Sequence, residues 1–148
     1  MISLNELETL LRAGHADFEL IRQDRPIRSA ADAAGYYPVE KSAPTLVLDS
    51  GEGLVACILS VGSGRLDLES AARRFGYARL KLAHSGKIEK ETGYRVGSVP
   101  LIGHALPCIF DERLMQYDYV YGGTGDELVT LKIAPADVRR LNRIVHVL

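Results

Sequence analysis

Glycine closes four of the helix-like runs in this sequence, at Gly14, Gly35, Gly76 and Gly93, and no periodic pattern outlasts about ten residues. That punctuation confines the chain to many short elements. Long bundles are excluded, and so is any span approaching the roughly 18 uninterrupted apolar residues that a membrane helix requires. With 148 residues the chain can bury one sizeable core. Helical patterns alternate with β-rich runs, so an α+β (mixed α/β) fold is expected.

The first helix is predicted to open at Ser3, to show Leu4, Leu7, Leu10 and Leu11 on one face, and to stop at Gly14. A short strand, FELI (18–21), follows. Ser29-Ala-Ala-Asp32 resembles a capping box and predicts a second helix ending at Gly35. TLVLDSGEGLVACILS (45–60) reads as a hairpin turning at Asp49 to Gly53. Leu68 to Phe75 reads as a helix, ARLKL (78–82) as a strand, and Ser85 as the cap of a helix reaching Thr92. Strands are expected in ALPCIF (105–110), DYVYGG (118–123) and ELVTLKI (127–133). Pro135 should begin a last helix, and RIVHVL should pair at a sheet edge. The sum is one domain over residues 1–148, with roughly six to eight mostly antiparallel or mixed strands and about five short helices. The strands should form a curved sheet or a partly open barrel.

Net charge is −1, which argues against a generic nucleic-acid binder. The average conceals an asymmetry. Residues 73 to 95 hold seven basic and two acidic side chains, a local +5 against −6 elsewhere. Such a run is either a solvated face or a landing place for an anion such as a polynucleotide backbone. Cys57 and Cys108 lie in apolar stretches, where buried inert thiols are expected before a disulfide or a nucleophile. Four scattered histidines make no pair at ligand spacing with cysteine, so neither metal nor cofactor is expected. The start carries Glu6 and Glu8 and has no basic n-region, so no secretory signal or membrane association is expected and the cytoplasm is the default address.

Lys41 stands at the mouth of the first long strand, stiffened on both flanks by Pro38 and Pro44. It is either a snorkelling surface residue or a fixed ammonium for a phosphate, carboxylate or polarised carbonyl. The run TGYRVGSVPLIGH (92–104) is a connector or a ligand loop. Gly97 and Gly103 permit positive φ, Pro100 stiffens the run, and the N–H groups of Gly97, Ser98 and Val99 could converge on an oxyanion or carbonyl oxygen. His104 could line a pocket or shuttle a proton, or could merely cap or pack. Gly122, Gly123, Thr124 and Gly125 make a second glycine cluster, either a hairpin turn or a wall for a substrate. It is not a phosphate loop, having no Gly-Lys-Ser/Thr sequence. Asp111 reads as an N-cap, and no Ser-His-Asp set or G-x-S-x-G elbow is present.

In order, SAADAAG, VEKSAPTLVL, RLDLESAARRFG, TGYRVGSVPLIGH and IFDERLMQYDYVYGGTGDELVTLKIAPADVRRL resemble the YbaK family, deacylases related to the editing domain of bacterial prolyl-tRNA synthetases. The resemblance runs from about Phe18 to Leu141. It implies hydrolysis, in trans, of the ester joining a wrong amino acid to the 3′-terminal ribose of a tRNA. Alanyl-tRNA for proline is the first expectation, with cysteinyl, seryl and threonyl esters behind it. Lys41 matches the lysine thought to hold the terminal adenosine. Gly97 to Pro100 matches the substrate loop, and a neighbouring ribose hydroxyl is thought to assist. A synthetase is a possible docking partner. Two departures stand out: the loop proline comes one position early, with Leu101 in its usual place, and IRQDRPIR lacks the histidine and threonine of many relatives, with Ser29 in the threonine's position. His104 fits the branch whose loop ends in Gly-His. The competing reading is a binding module that holds a nucleotide, amino acid or tRNA end without hydrolysis.

Overall fold

In the computed structural model the backbone is described for residues 1–148, and every side chain except those of Ala30 and Ser63. Helix α1 (Leu4–Ala13) begins at a true capping box: Glu6 N–H donates to Ser3 Oγ at 3.1 Å, and Ser3 N–H donates to Glu6 Oε1 at 3.0 Å. Its apolar stripe buries Leu7 and Leu11 completely, while Leu10 stays exposed. Strand β1 (Phe18–Arg22) follows, then the β2–β3 hairpin (Thr45–Asp49 and Leu54–Ile58). Gly51 takes a φ of +87° at the hairpin's tip and donates its N–H to Asp49 Oδ1.

Helix α2 (Leu68–Phe75) is capped by Asp67 and stopped by Gly76 in the left-handed region. Strand β4 (Lys81–Leu82), helix α3 (Ser85–Thr92) and strand β5 (Cys108–Phe110) come next. The chain closes with β6 (Val120–Gly123), β7 (Val129–Ile133), α4 (Pro135–Leu141) and β8 (Ile144–Val147).

The eight strands fall into two sheets, and the fold is α+β as expected. One sheet is antiparallel, in the order β1-β7-β6. The other is mixed, in the order β4-β2-β3-β5-β8, with β5 parallel to both β3 and β8. A parallel bridge between Ser42 and Tyr121, reinforced by Ala43 N–H to the Tyr121 carbonyl at 2.8 Å, ties the sheets together without closing a barrel.

The central strand β3 is buried at all five positions, which explains why LVACI reads as a continuous apolar run. Ala56 and Ile58 join a core shared with α1, α4 and the small sheet. Val55 and Cys57 face a second core under α2, with Ala71 and Ala72 letting that helix approach closely. A third cluster, Val47, Leu54, Ile88, Tyr94 and Val99, lies under α3. Cys57 and Cys108 are free and buried, and burial pushes both thiols up to about 12.

Two expected elements contract, and one cap is reassigned. SAADAAG forms only a 3-10 turn, Ala30–Ala33, because Ser29 makes no side-chain cap and Asp32 instead accepts the Arg28 N–H at 3.2 Å. ARLKL pairs over two residues, against Leu48 and Asp49. The cap of α3 is His84, whose Nδ1 accepts the Gly86 N–H, not Ser85. Among the described residues no helix is long and apolar enough to cross a membrane.

Candidate functional site

Residues 93–101 show what the glycines are for. Gly93 ends α3 with φ +82°, and Ser98 N–H closes a turn on the Arg95 carbonyl at 3.0 Å. Gly97 has φ +84°, and a Cβ there would stand 3.2 Å from the Arg28 carbonyl oxygen. Beyond the turn the chain lies flat along β6, with Leu101 N–H on the Gly123 carbonyl at 3.0 Å. A Cβ on Gly122 would meet Leu101 Cδ2 at 2.9 Å, and one on Gly123 would meet the Val99 carbonyl oxygen at 3.0 Å. The two glycine-rich stretches, about 25 residues apart, are therefore two halves of one contact.

Next to that contact, between the two sheets, opens a cavity of about 400 Å³. This is within the usual range for small-molecule sites, about 300–1,000 Å³. Gly97, Ser98 and Val99 line it from one side and Gly122, Gly123, Thr124 and Gly125 from another. Apolar side chains including Val47, Ile88 and Val99 make most of its wall. The N–H groups of Gly97 and Val99 have no acceptor among the described residues, whereas that of Ser98 is consumed by its turn. Only two of the three expected donors are thus available. The Thr124 hydroxyl is also spent internally, donating to the Val129 carbonyl at 2.8 Å.

Lys41 does not line the cavity. It ends the 3-10 turn Val39–Lys41 and its Nζ lies 3.1 Å from Asp118 Oδ1, a pair that holds the ammonium above and the carboxyl below their ordinary pKa values. Its chain neighbour Ser42 does line the cavity, as does Tyr121, whereas the Lys41 ammonium is turned to Asp118. Pro100, Gly103 and His104 are also absent from the lining. Gly103 is bare for a backbone reason, its φ being +94°, and a Cβ there would also press on Ile2 Cδ1 at 2.6 Å.

His104 is 5% exposed, its Nδ1 accepts the Leu106 N–H at 3.0 Å, and burial lowers its pKa to about 4. With Nδ1 accepting, the neutral ring carries its proton on Nε2, which finds no partner among the described residues. Buried and bonded to the Leu106 N–H, the ring is placed to brace the loop, and it does not line the cavity.

Several lining groups escaped the sequence reading. Tyr37 and Tyr121 stack with centroids 4.6 Å apart and an interplanar angle of 8°. Ser42 Oγ and Thr45 Oγ1 are buried without hydrogen-bond partners among the described residues. Arg28 Nη2 binds Glu127 Oε2 at 3.0 Å, and Ser98 Oγ lies 3.5 Å from Glu127 Oε1. Ser42 could have been suspected from its place beside Lys41. Nothing local links Arg28 to Glu127, which are brought together by Ile27 N–H on the Glu127 carbonyl. Among the described residues no three His, Cys, Asp or Glu side chains gather as a metal site would need.

Two bridged sheets thus hold a small, largely apolar cavity lined in part by glycine backbone, of a size that suits a small-molecule group. The sequence model for the aminoacyl-tRNA editing domain matches residues 24–141, and the chain belongs to that family. Solved structures agree. The hypothetical protein APE2540 superposes with a TM-score of 0.83 at 26% identity, over 96% of this chain and 97% of that one. A candidate trans-editing enzyme for prolyl-tRNA synthetase superposes with a TM-score of 0.80 at 25% identity, over 99% and 98%. A candidate signal transduction protein from Marinobacter aquaeolei VT8 shares the fold at a TM-score of 0.67 and 17% identity, over 95% of this chain and 29% of that one.

Proposed function

We propose that this protein is a trans-acting deacylase that hydrolyses the ester of mischarged aminoacyl-tRNA in the cytoplasm. The observation that carries the reading is the pair of N–H groups, Gly97 and Val99, unpartnered among the described residues in the lining of an apolar cavity that begins one residue past Lys41, at Ser42. The ester carbonyl lies against those donors, which stabilise the oxyanion as water attacks. Lys41 exchanges Asp118 for a phosphate of the terminal adenosine and so fixes the ester in register. The neighbouring ribose hydroxyl orders the water. The acyl–oxygen bond breaks, the ribose oxygen takes a proton, and free amino acid and tRNA leave.

The reading assigns the protein no general base, so positioning and backbone polarisation carry the rate. The wall is largely apolar but carries the unpartnered Ser42 and Thr45 hydroxyls, so it suits small acyl groups such as alanyl and seryl. An alanyl ester on proline tRNA is the first substrate to test, with a prolyl-tRNA synthetase as a candidate docking partner. Leu82, Ala83 and Ile88 line the cavity and belong to the basic stretch 73–95, so the tRNA body lies over that stretch. The test is release of labelled amino acid from mischarged tRNAs by wild type and Lys41→Ala. The ion pair of Lys41 with Asp118 favours the alternative of a binding module, in which Lys41 is never released; tRNA-end binding without turnover on any ester would select it.

A further inference from the structure

The cavity is walled by apolar groups and hydroxyls, yet at its rim stands one partly buried carboxylate, Glu127. Its backbone is pinned on both sides of the chain, the carbonyl accepting Ile27 N–H at 2.9 Å and Gln23 Nε2 at 2.7 Å. Of its two side-chain oxygens, Oε2 is taken by Arg28 at 3.0 Å, while Oε1 has only Ser98 Oγ at 3.5 Å. A carboxylate oxygen offers about two acceptor positions, so Oε1 retains capacity on the side of the substrate loop. The neighbouring Asp126 is exposed and gives Oδ1 to the Leu128 N–H at 2.9 Å. Of the charged side chains that line the cavity, Arg28 stands against Glu127 and Asp126, a net −1. Such a rim accepts a cation more readily than an anion.

We propose that Glu127 Oε1, with Ser98 Oγ, receives the α-ammonium of the acyl group, so that the cavity admits aminoacyl esters and discriminates against hydroxyacyl or N-blocked ones. The inference rests on the deacylase reading and names a recognition element within it. Arg28 is the positioning residue: its Nη2 holds Oε2 and leaves Oε1 turned to Ser98. The same contact orients the ester, because an ammonium fixed at residue 127 and a carbonyl fixed at Gly97 and Val99 leave the scissile bond one orientation.

The test compares alanyl- and seryl-tRNA with their α-hydroxy counterparts, lactyl- and glyceryl-tRNA, on wild type, Glu127→Gln and Glu127→Asp. Each rate is divided by its uncatalysed rate, which removes the intrinsic activation of the ester by the ammonium. Wild type should prefer the amino ester by about 10- to 100-fold, the worth of one charge-assisted hydrogen bond. Glu127→Gln should lose that preference through KM, slowing the amino ester by more than the hydroxy ester, and Glu127→Asp should recover part of it. Preference undiminished in Glu127→Gln, or both esters slowed alike, overturns the assignment. Wild type inert toward all four esters is a different failure, since it overturns the deacylase reading itself.

Discussion

Replacing Gly123 by alanine inserts one methyl group where the substrate loop crosses β6. The backbone φ of Gly123 is not in the left-handed region, so the cost is steric alone. The new Cβ would stand 3.0 Å from the Val99 carbonyl oxygen and 3.7 Å from Pro100 Cα. Ordinary contact begins near 3.4 Å, so the carbonyl must retreat by a few tenths of an ångström. It has little room: Val99 is 5% exposed, and Leu101 N–H is bonded back to the Gly123 carbonyl. Overpacking of this kind costs about 1–3 kcal/mol. At about 4 °C per kcal/mol for a domain of this size, Tm should fall by roughly 4–12 °C. Gly53→Ala is the matched control, because a Cβ there meets nothing within 4 Å. Thermal melts of the three proteins make the comparison. Gly123→Ala melting with wild type and Gly53→Ala would refute the claim that the two glycine-rich stretches form one contact.

Other consequences can be measured in the same way. Burial holds the His104 pKa near 4, below its ordinary 6.5, so the stability it contributes is full above about pH 6.5 and is lost as pH falls through about 4. Denaturant titrations at about pH 7 and 4.5 should show wild type losing about 2–3 kcal/mol more than His104→Gln; equal losses would contradict the buried neutral ring. Asp111 is fully buried and accepts from Ser60 N–H at 2.9 Å and Arg113 Nε at 2.9 Å. Asp111→Ala should cost about 1–3 kcal/mol by chemical denaturation, chiefly from the stranded Ser60 N–H, and Asp111→Asn should cost less. If the stretch 73–95 carries the tRNA body, tRNA affinity should fall steeply with salt, and charge-reversal at Lys90 should flatten the slope by about one phosphate contact.

Helix ends and the hairpin were legible because their signals are local. Ser3, Gly76, Gly93 and the Asp49–Gly53 turn each act within a few residues. The glycine-rich loops read either as connectors or as ligand loops, and their contact with each other was not legible, since the partner of each lay about 25 residues away. His104 looked functional by type, and only its burial and the Leu106 contact make it a structural residue. The Lys41–Asp118 and Arg28–Glu127 pairs join residues 77 and 99 positions apart, so no window of sequence contains them. SAADAAG misled because alanine favours a helix locally, while the bond from Arg28 N–H to Asp32 commits the segment to a turn.

The central claim is that Lys41 positions an aminoacyl ester for hydrolysis, and one assay addresses it directly. Amino acid release from a panel of mischarged tRNAs should be rapid for at least one ester with wild type. It should be absent with Lys41→Ala, whose Tm should stay within a few degrees because an exposed ion pair adds only about 0–1 kcal/mol. A folded Lys41→Ala that cleaves the ester at the wild-type rate would contradict the account.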